Sequence, residues 1–362
     1  MKKYIFIFLQ ILGFSAFSQT LKPGFDAAEY RELMLVSTRT TASPNYFKDF
    51  DAPKDFKMLY QSKVMGLDNL WDLWEGKNVA AISIRGTTQK PESWLANFYA
   101  AMVPAKGELK ISETETFKYN LADNPKAAVH VGWLISTAFL SKDMLPKIGS
   151  LYKTGTKEFL IIGHSQGGAI SYLLTAYLLH LQKENQLPAD IKFKTYSSAS
   201  PKPGNLYFAY DYEALTQNGW AYNVVNSADW VPEVPMSIQT LNDFNDVNPF
   251  INAKMLIKKQ KFPTNLVLKH VFNRLDKPTK KAQESYERYL GKATSKIIMK
   301  SLKTFEAPDY YHSNHYVRTG NTIVLLANED YYKHFPDDQS KIFVHHFHQN
   351  YLYLLDHQFG NK

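Results

Sequence analysis

A serine framed by glycines lies between a strand-like and a helix-like segment in the middle of this chain. The apolar run KEFLIIG at 157–163 is typical of a buried strand, and residues 163–167 read Gly-His-Ser-Gln-Gly. Residues 166–182 then carry apolar side chains at helical spacing. A strand, a tight turn and a helix in this order expose the serine hydroxyl and point helix N–H groups toward it. This arrangement predicts a nucleophile at Ser165; a serine that only caps the helix is the alternative.

A serine hydroxyl at neutral pH needs a histidine base and a carboxylate that orients the histidine. Asp229 follows the strand-like segment 220–227, at the carboxyl end where ligands of open α/β sheets bind. Asp211 and Glu213 have less strand-like surroundings. We therefore expect Asp229 to be the orienting acid, with a solvated loop carboxylate as the alternative.

The wider chain alternates strand-like and helix-like segments. Such alternation predicts an α/β fold, with a mostly parallel sheet and helices on both faces. The predicted strands are 78–85, 157–163, 191–199, 220–227 and 322–327, and the predicted helices outside the basic segment are 25–40, 92–103 and 166–182.

Charge is concentrated in one segment. The 362 residues include 42 Lys and Arg against 34 Asp and Glu, and residues 237–307 alone hold 14 basic and six acidic residues. This segment shows three helical stretches, at 250–261, 264–275 and 279–303. We expect a basic helical insertion that caps a domain formed by 19–236 and 308–362.

Residues 1–18 have the pattern of a secretory signal peptide. Lys2 and Lys3 precede an apolar stretch that is too short to span a bilayer, and small residues precede a cleavage site before Gln19. Export to a periplasm or to the medium is expected, with an uncleaved anchor as the alternative. Without cysteines, the chain has no disulfides, thiolate metal sites or catalytic thiol.

Several ordered motifs resemble the fungal-type class 3 lipases, an α/β-hydrolase family. Ile-Arg-Gly-Thr at 84–87 resembles the family's oxyanion loop, and Val-His-Val-Gly-Trp at 129–133 is similar to its V-H-x-G-F segment. Asp-Trp-Val-Pro-Glu-Val-Pro at 229–235 resembles D-x-V-P-x-x-P. The resemblance covers roughly 55–236 and 309–358, and the basic insertion has no counterpart in it.

The resemblance implies a role for each site residue. Thr87 and Gln166 would supply the oxyanion N–H groups, and Asp229 would be the triad acid. His346 would be the base, because a Tyr-Leu pair follows it five and six residues later, at the start of a last helix. His345, His312 and His315 remain alternative bases. Residues 345–348 also permit a metal site, although adjacent histidines point in different directions.

These features predict an exported serine ester hydrolase that cleaves carboxylic esters of acyl lipids, without cofactor or metal. A basic cap would favour an anionic lipid surface, although a merely solvated helical face is the alternative. No nucleic-acid-binding module is recognisable. The alternative functions are a non-catalytic binding protein with the same fold, and an acyltransferase, phospholipase or peptide hydrolase with the same triad.

Overall fold

A computed structural model of the chain describes residues 21–41 and 43–360. The predicted signal peptide at 1–18 lies outside the described residues. Within them, no helix has the length and apolarity needed to cross a membrane.

The centre of the molecule is a seven-stranded sheet in the order β1-β2-β3-β8-β9-β11-β13. The strands from β3 to β13 are parallel, and β1 and β2 extend the sheet as antiparallel neighbours. The strands of this sheet are β1 (Lys57–Gln61), β2 (Trp71–Glu75), β3 (Ala80–Ile84), β8 (Glu158–His164), β9 (Lys192–Ser198), β11 (Ala221–Asn226) and β13 (Asn321–Leu325).

Two smaller sheets flank the centre. One has the order β12-β10-β7-β4 and the other is a hairpin of β5 and β6. Their strands are β4 (Met102–Pro104), β5 (Lys106–Lys110), β6 (Thr116–Asn120), β7 (Ala128–His130), β10 (Gly204–Asn205) and β12 (Tyr316–Val317).

Helices cover both faces of the central sheet, as the sequence predicts. The α-helices of the described residues, including those that do not contact the sheet, are α1 (Ala27–Thr40), α2 (Pro44–Phe47), α3 (Pro91–Phe98), α4 (Val131–Lys153), α5 (Gln166–Lys183), α6 (Leu206–Leu215), α7 (Ala253–Lys258), α8 (Thr264–Glu287), α9 (Thr294–Ser301), α10 (Glu329–His334) and α11 (His348–Phe359). Successive side chains of a strand point to opposite faces of the sheet, so the hydrophobic core has two parts, one on each face. On β8, Ile161 packs with α4 and α5, whereas Leu160 and Ile162 pack with α1 and α11. The α/β prediction is confirmed.

Four predicted elements differ in extent from the structure. The helix predicted at 92–103 ends at Phe98, and β4 starts four residues later. The helices predicted at 264–275 and 279–303 are one helical stretch, in which α8 passes through Pro278 and a π-helical turn at Arg288–Ala293 leads into α9. The last helix begins at His348 rather than at His346.

A buried ion pair fastens α1 to the sheet. The Lys194 ammonium on β9 lies 2.6 Å from the Glu29 carboxylate on α1, and the Lys194 side chain is only 2% exposed. The Tyr196 hydroxyl also donates to Glu29 at 2.6 Å. An ammonium at this depth depends on its carboxylate partner, since an unpaired buried charge is strongly unfavourable.

We therefore expect Glu29→Leu to lower the free energy of unfolding by about 3–5 kcal/mol, because it leaves the Lys194 charge buried without a partner. Urea unfolding of the purified protein measures this. The double variant Glu29→Leu/Lys194→Met, which removes both charges, should recover most of the loss. A double variant as unstable as the single one would contradict this explanation.

Candidate active site

Ser165 lies at a strained turn between β8 and α5. Its φ is 62° and its ψ is −129°, a left-handed backbone conformation that a non-glycine residue rarely adopts. Its N–H donates to the Ser198 carbonyl at 2.9 Å. Ser165 is half-buried, although His164 and Gln166 on either side are buried. The turn therefore presents the serine side chain at the surface of an otherwise closed region.

Close backbone packing makes this turn possible. A side chain at Gly163 would lie 2.1 Å from the Gly167 carbonyl oxygen, and one at Gly167 would lie 2.2 Å from the Ile84 carbonyl oxygen. A larger residue at 163 would force the first turn of α5 away from β8, and one at 167 would force it away from β3. The glycines of the motif are thus required by contacts at the carboxyl ends of β3 and β8.

His346 and Asp229 form a buried pair. The Nδ1 atom of His346 lies 2.7 Å from the Asp229 Oδ2 atom, and the Asp229 side chain is inaccessible to solvent. The Tyr351 hydroxyl and the Val231 N–H also donate to this carboxylate, at 2.8 Å and 3.0 Å. Because a carboxylate only accepts, Nδ1 of His346 is the donor in this bond, and Nε2 is the ring nitrogen that does not face Asp229.

Tyr351 remains a donor to Asp229. Its burial, followed by the charge of Asp229, raises the pKa of the Tyr351 hydroxyl well above its usual value. Tyr351 comes from α11, which starts just after His346, so one short segment contacts Asp229 twice.

His164 connects the serine turn to the segment that carries His346. The His164 Nε2–H donates to the His346 carbonyl at 2.7 Å, and Nδ1 lies 3.0 Å from the Ser198 hydroxyl. The rings of His164 and His348 stack with centroids 4.2 Å apart. His348 in turn bonds with Tyr46 and Ser37. This buried group fixes the backbone on both sides of the candidate base.

The other candidate bases make contacts elsewhere. His345 lies between Asp337 and the Tyr331 hydroxyl, at 2.8 Å and 2.9 Å. His312 is exposed and bonds with Glu287, whereas His315 is half-buried, and its burial lowers its pKa. Within the described residues, no group of three or more His, Cys, Asp or Glu side chains is arranged to hold a metal ion.

The predicted oxyanion residues lie on two sides of the serine turn. A side chain at Gly86 would lie 2.9 Å from the His164 carbonyl and 3.5 Å from the Ser165 Cβ, so the loop that carries Thr87 passes beside Ser165. Gln166 opens α5, where N–H groups lack helical partners. Its side chain donates to the Ser93 carbonyl of α3 at 3.1 Å.

The Thr87 hydroxyl has a fixed partner. The Asn97 Nδ2 amide donates to it at 2.9 Å, and the Trp133 indole N–H donates to the other end of the same amide at 3.0 Å. Thr87 accepts this bond, so its own hydroxyl proton stays available to a further acceptor.

Asp68 holds the loop that carries Thr87 in place, and the sequence did not reveal this residue. Its carboxylate accepts from Arg85, Thr88 and Lys90, at 3.1, 2.7 and 2.9 Å. Burial alone would raise the pKa of Asp68, but the bonds from Thr88 and Lys90 and the charge of Arg85 lower it. A carboxylate in a turn well before β3 gives no signal in a sequence, because its contacts with residues after that strand depend on the fold.

Aromatic rings line the approach to His346. The Phe343 ring lies 5.7 Å from the His346 ring, 5.3 Å from Trp230 and 6.2 Å from Trp94. Trp94 stacks on Phe98, more than half of which is exposed. The site thus has an accessible apolar rim beside its polar centre.

A parallel sheet with a strained serine turn after a central strand, and a histidine–carboxylate pair near the carboxyl ends of the strands, defines an α/β-hydrolase. Residues 81–238, somewhat less than half of the chain, match the family model of the class 3 lipases. The resemblance inferred from the sequence is thereby confirmed.

Individual relatives are distant. The chain is 32% identical over 109 residues to the secreted mono- and diacylglycerol lipase 1 of Fusarium solani, a match that covers 30% of this chain and 29% of that protein. Among solved structures, the native Rhizomucor miehei lipase–propeptide complex has 20% identity and a TM-score of 0.42, and covers 59% of this chain and 65% of that one. The Lip2 lipase of Yarrowia lipolytica has 17% identity and a TM-score of 0.45, with 60% and 77% covered.

Buried neutral histidines make stability depend on pH. Burial lowers the pKa of His130 and of His348 to about 3, and lowers that of His164 well below its usual value. Unfolding releases these rings to a pKa of about 6.5, so below that pH the unfolded chain binds more protons than the folded one. Their stabilisation is complete above about pH 6.5 and is lost progressively as the pH falls toward 3.

We expect His348→Gln to flatten the pH dependence of unfolding. Each buried neutral histidine should cost about 2 kcal/mol of unfolding free energy between pH 6.5 and pH 5. The slope of the unfolding free energy against pH, measured by urea unfolding over this range, gives the number of protons taken up on unfolding. This number should be about one smaller in His348→Gln than in the parent. The exposed His357→Gln is the control; an equal change of slope in both variants would refute the expectation.

Proposed function

We propose that this chain is an exported serine ester hydrolase, of the lipase and carboxylesterase class, that acts on carboxylic esters of acyl lipids. The main support is the combination of Ser165 in its strained turn with the buried bond between His346 and Asp229. The class 3 lipase match over 81–238 agrees with this chemistry.

In the proposed reaction, the Ser165 oxygen attacks the acyl carbonyl and passes its proton to Nε2 of His346. Asp229 accepts from Nδ1 and stabilises the imidazolium that forms. The carbonyl oxygen becomes an oxyanion held by the N–H groups of Thr87 and Gln166, and by the Thr87 hydroxyl. The alcohol leaves with the proton from His346, and water then releases the acid from the acyl-enzyme by the same steps.

An acyl-lipid substrate is supported by the surroundings of His346. The rings of Trp94, Trp230 and Phe343 provide apolar contacts for a hydrocarbon chain next to the reacting atoms. Export is supported by the signal-like residues 1–18, and the Fusarium solani relative is itself a secreted protein.

We expect Ser165→Ala, His346→Ala and Asp229→Asn each to lower kcat/KM on p-nitrophenyl esters by about 10⁴-fold or more, because the triad acts as a unit. A fluorophosphonate probe should label the parent and fail to label Ser165→Ala. The matched histidine control is His345→Gln, which should keep most of the activity.

Three results would redirect the proposal. A parent that neither reacts with the fluorophosphonate nor hydrolyses any ester would indicate a binding protein with this fold. Loss of activity in His345→Gln with full activity in His346→Ala would move the base. If acyl transfer to an added alcohol is faster than hydrolysis, the result would favour an acyltransferase.

Asn97 is expected to position the oxyanion group. Asn97→Leu removes the amide that holds the Thr87 hydroxyl, and should lower kcat by about 10- to 100-fold with little change in KM. Glu92→Gln, on the exposed face of the same helix α3, is the control. A change in KM alone would show that Asn97 acts in ground-state binding instead.

A further inference from the structure

Residues 247–275 form a hairpin that projects from the hydrolase body, here called the exposed hairpin. It contains α7, the connection at 259–263 and the first half of α8, and the two helices pack on each other. Within this fully described stretch every residue is exposed or half-buried, and the next buried residue is Asp276. The hydrophobic core clusters take no residue from it.

The exposed hairpin carries large apolar side chains in water. Val247 is 96% exposed, Phe262 79% and Leu275 69%. Val267, Val271 and Leu275 follow one another at four-residue spacing, which places them on one face of α8. The full set of exposed large apolar residues is Val247, Phe250, Ile251, Met255, Leu256, Phe262, Leu266, Val267, Leu268, Val271 and Leu275. Soluble monomers rarely keep so large an apolar surface without an interaction that uses it.

The same hairpin is strongly basic. It has six cationic side chains and no acidic ones: Lys254, Lys258, Lys259, Lys261, Lys269 and Arg274. Among the described residues, none of these six forms a salt bridge, whereas Lys280 and Lys292 further along the insertion pair with Asp276 and Glu287. The positive charge of the exposed hairpin is therefore not neutralised within the molecule.

We propose that the exposed hairpin docks the protein on an anionic phospholipid bilayer. An amphipathic helical element with basic residues beside an exposed apolar face binds at the boundary between headgroups and acyl chains. The apolar side chains would enter this boundary while the lysines contact anionic headgroups. A second copy of the chain is a poor occupant, because its hairpin would bring six cations against six.

This inference goes beyond the proposed reaction. The family match ends at residue 238, nine residues before the exposed hairpin begins, so the docking element lies outside the matched lipase region. It concerns binding rather than hydrolysis, and it can be tested in a protein that does not turn over.

The test is sedimentation of the full chain carrying Ser165→Ala with vesicles of phosphatidylcholine, with and without phosphatidylglycerol. We expect binding that depends on phosphatidylglycerol and weakens as salt is added. Replacing Lys254, Lys258 and Lys269 by glutamine should lower the partition coefficient by about fivefold per lysine, or about 100-fold in all. The matched control replaces Lys63, Lys77 and Lys153, which are exposed on the body, and should bind like the parent.

The apolar face is tested separately by Val267→Ser/Val271→Ser/Leu275→Ser, which should weaken binding by about tenfold or more. Circular dichroism shows whether its helices persist; the lysine variant tests the proposal in any case, since its changes are confined to exposed side chains. Equal binding to neutral and anionic vesicles, or equal losses in the body control, would overturn the proposal. So would a parent dimer that the apolar variant dissociates.

The two proposals fail in different ways. A parent that reacts with fluorophosphonate but does not bind anionic vesicles overturns the docking surface alone. A parent that binds the vesicles through the hairpin but never reacts overturns the hydrolase alone.

Discussion

The contact between the first turn of α5 and the end of β3 is the constraint on which the site depends. Only glycine at 167 lets the α5 backbone reach the Ile84 carbonyl, and Gly163 permits the same approach on the other side. The strained φ of Ser165 is maintained because these contacts and the surrounding strands leave the turn no relaxed alternative. Residues that follow β3 are thereby brought beside those that follow β8, the arrangement that the proposed oxyanion site requires.

The candidate nucleophile and the candidate base are also coupled through the backbone. His164, next to Ser165, holds the carbonyl of His346, while Ser198 on the adjacent strand bonds with both His164 and Tyr30. A buried chain of hydrogen bonds therefore runs from α1 to the segment before α11. Because each group in this chain is satisfied only by its neighbours, a displacement of one element disturbs the others.

The sequence predicted the parts whose signal is local and failed where the fold decides. The central strands and Ser165 were found because apolar runs and a glycine-rich turn are local patterns. The run at 92–103 is mostly apolar, and such a run does not distinguish a helix from a strand, so the end of α3 at Phe98 was missed. The sequence suggested separate helices at 264–275 and 279–303, whereas α8 continues through Pro278. The role of Asp68 could not be predicted from the sequence, because its three partners come together only in the folded chain.

The predicted insertion leaves and re-enters the rest of the fold at neighbouring points. Ile238 pairs with Asn314 as an antiparallel bridge, and the Ser313 hydroxyl bonds with Asp243, so its two ends are tied together. Meanwhile β11 and β13 lie side by side in parallel although almost a hundred residues separate them. A segment closed at its base adds only about 0.6 kcal/mol of loop entropy for each doubling of its length. The fold thus has a position at which whole surface elements can be lengthened, shortened or exchanged during evolution, while the strands that support the candidate site keep their register.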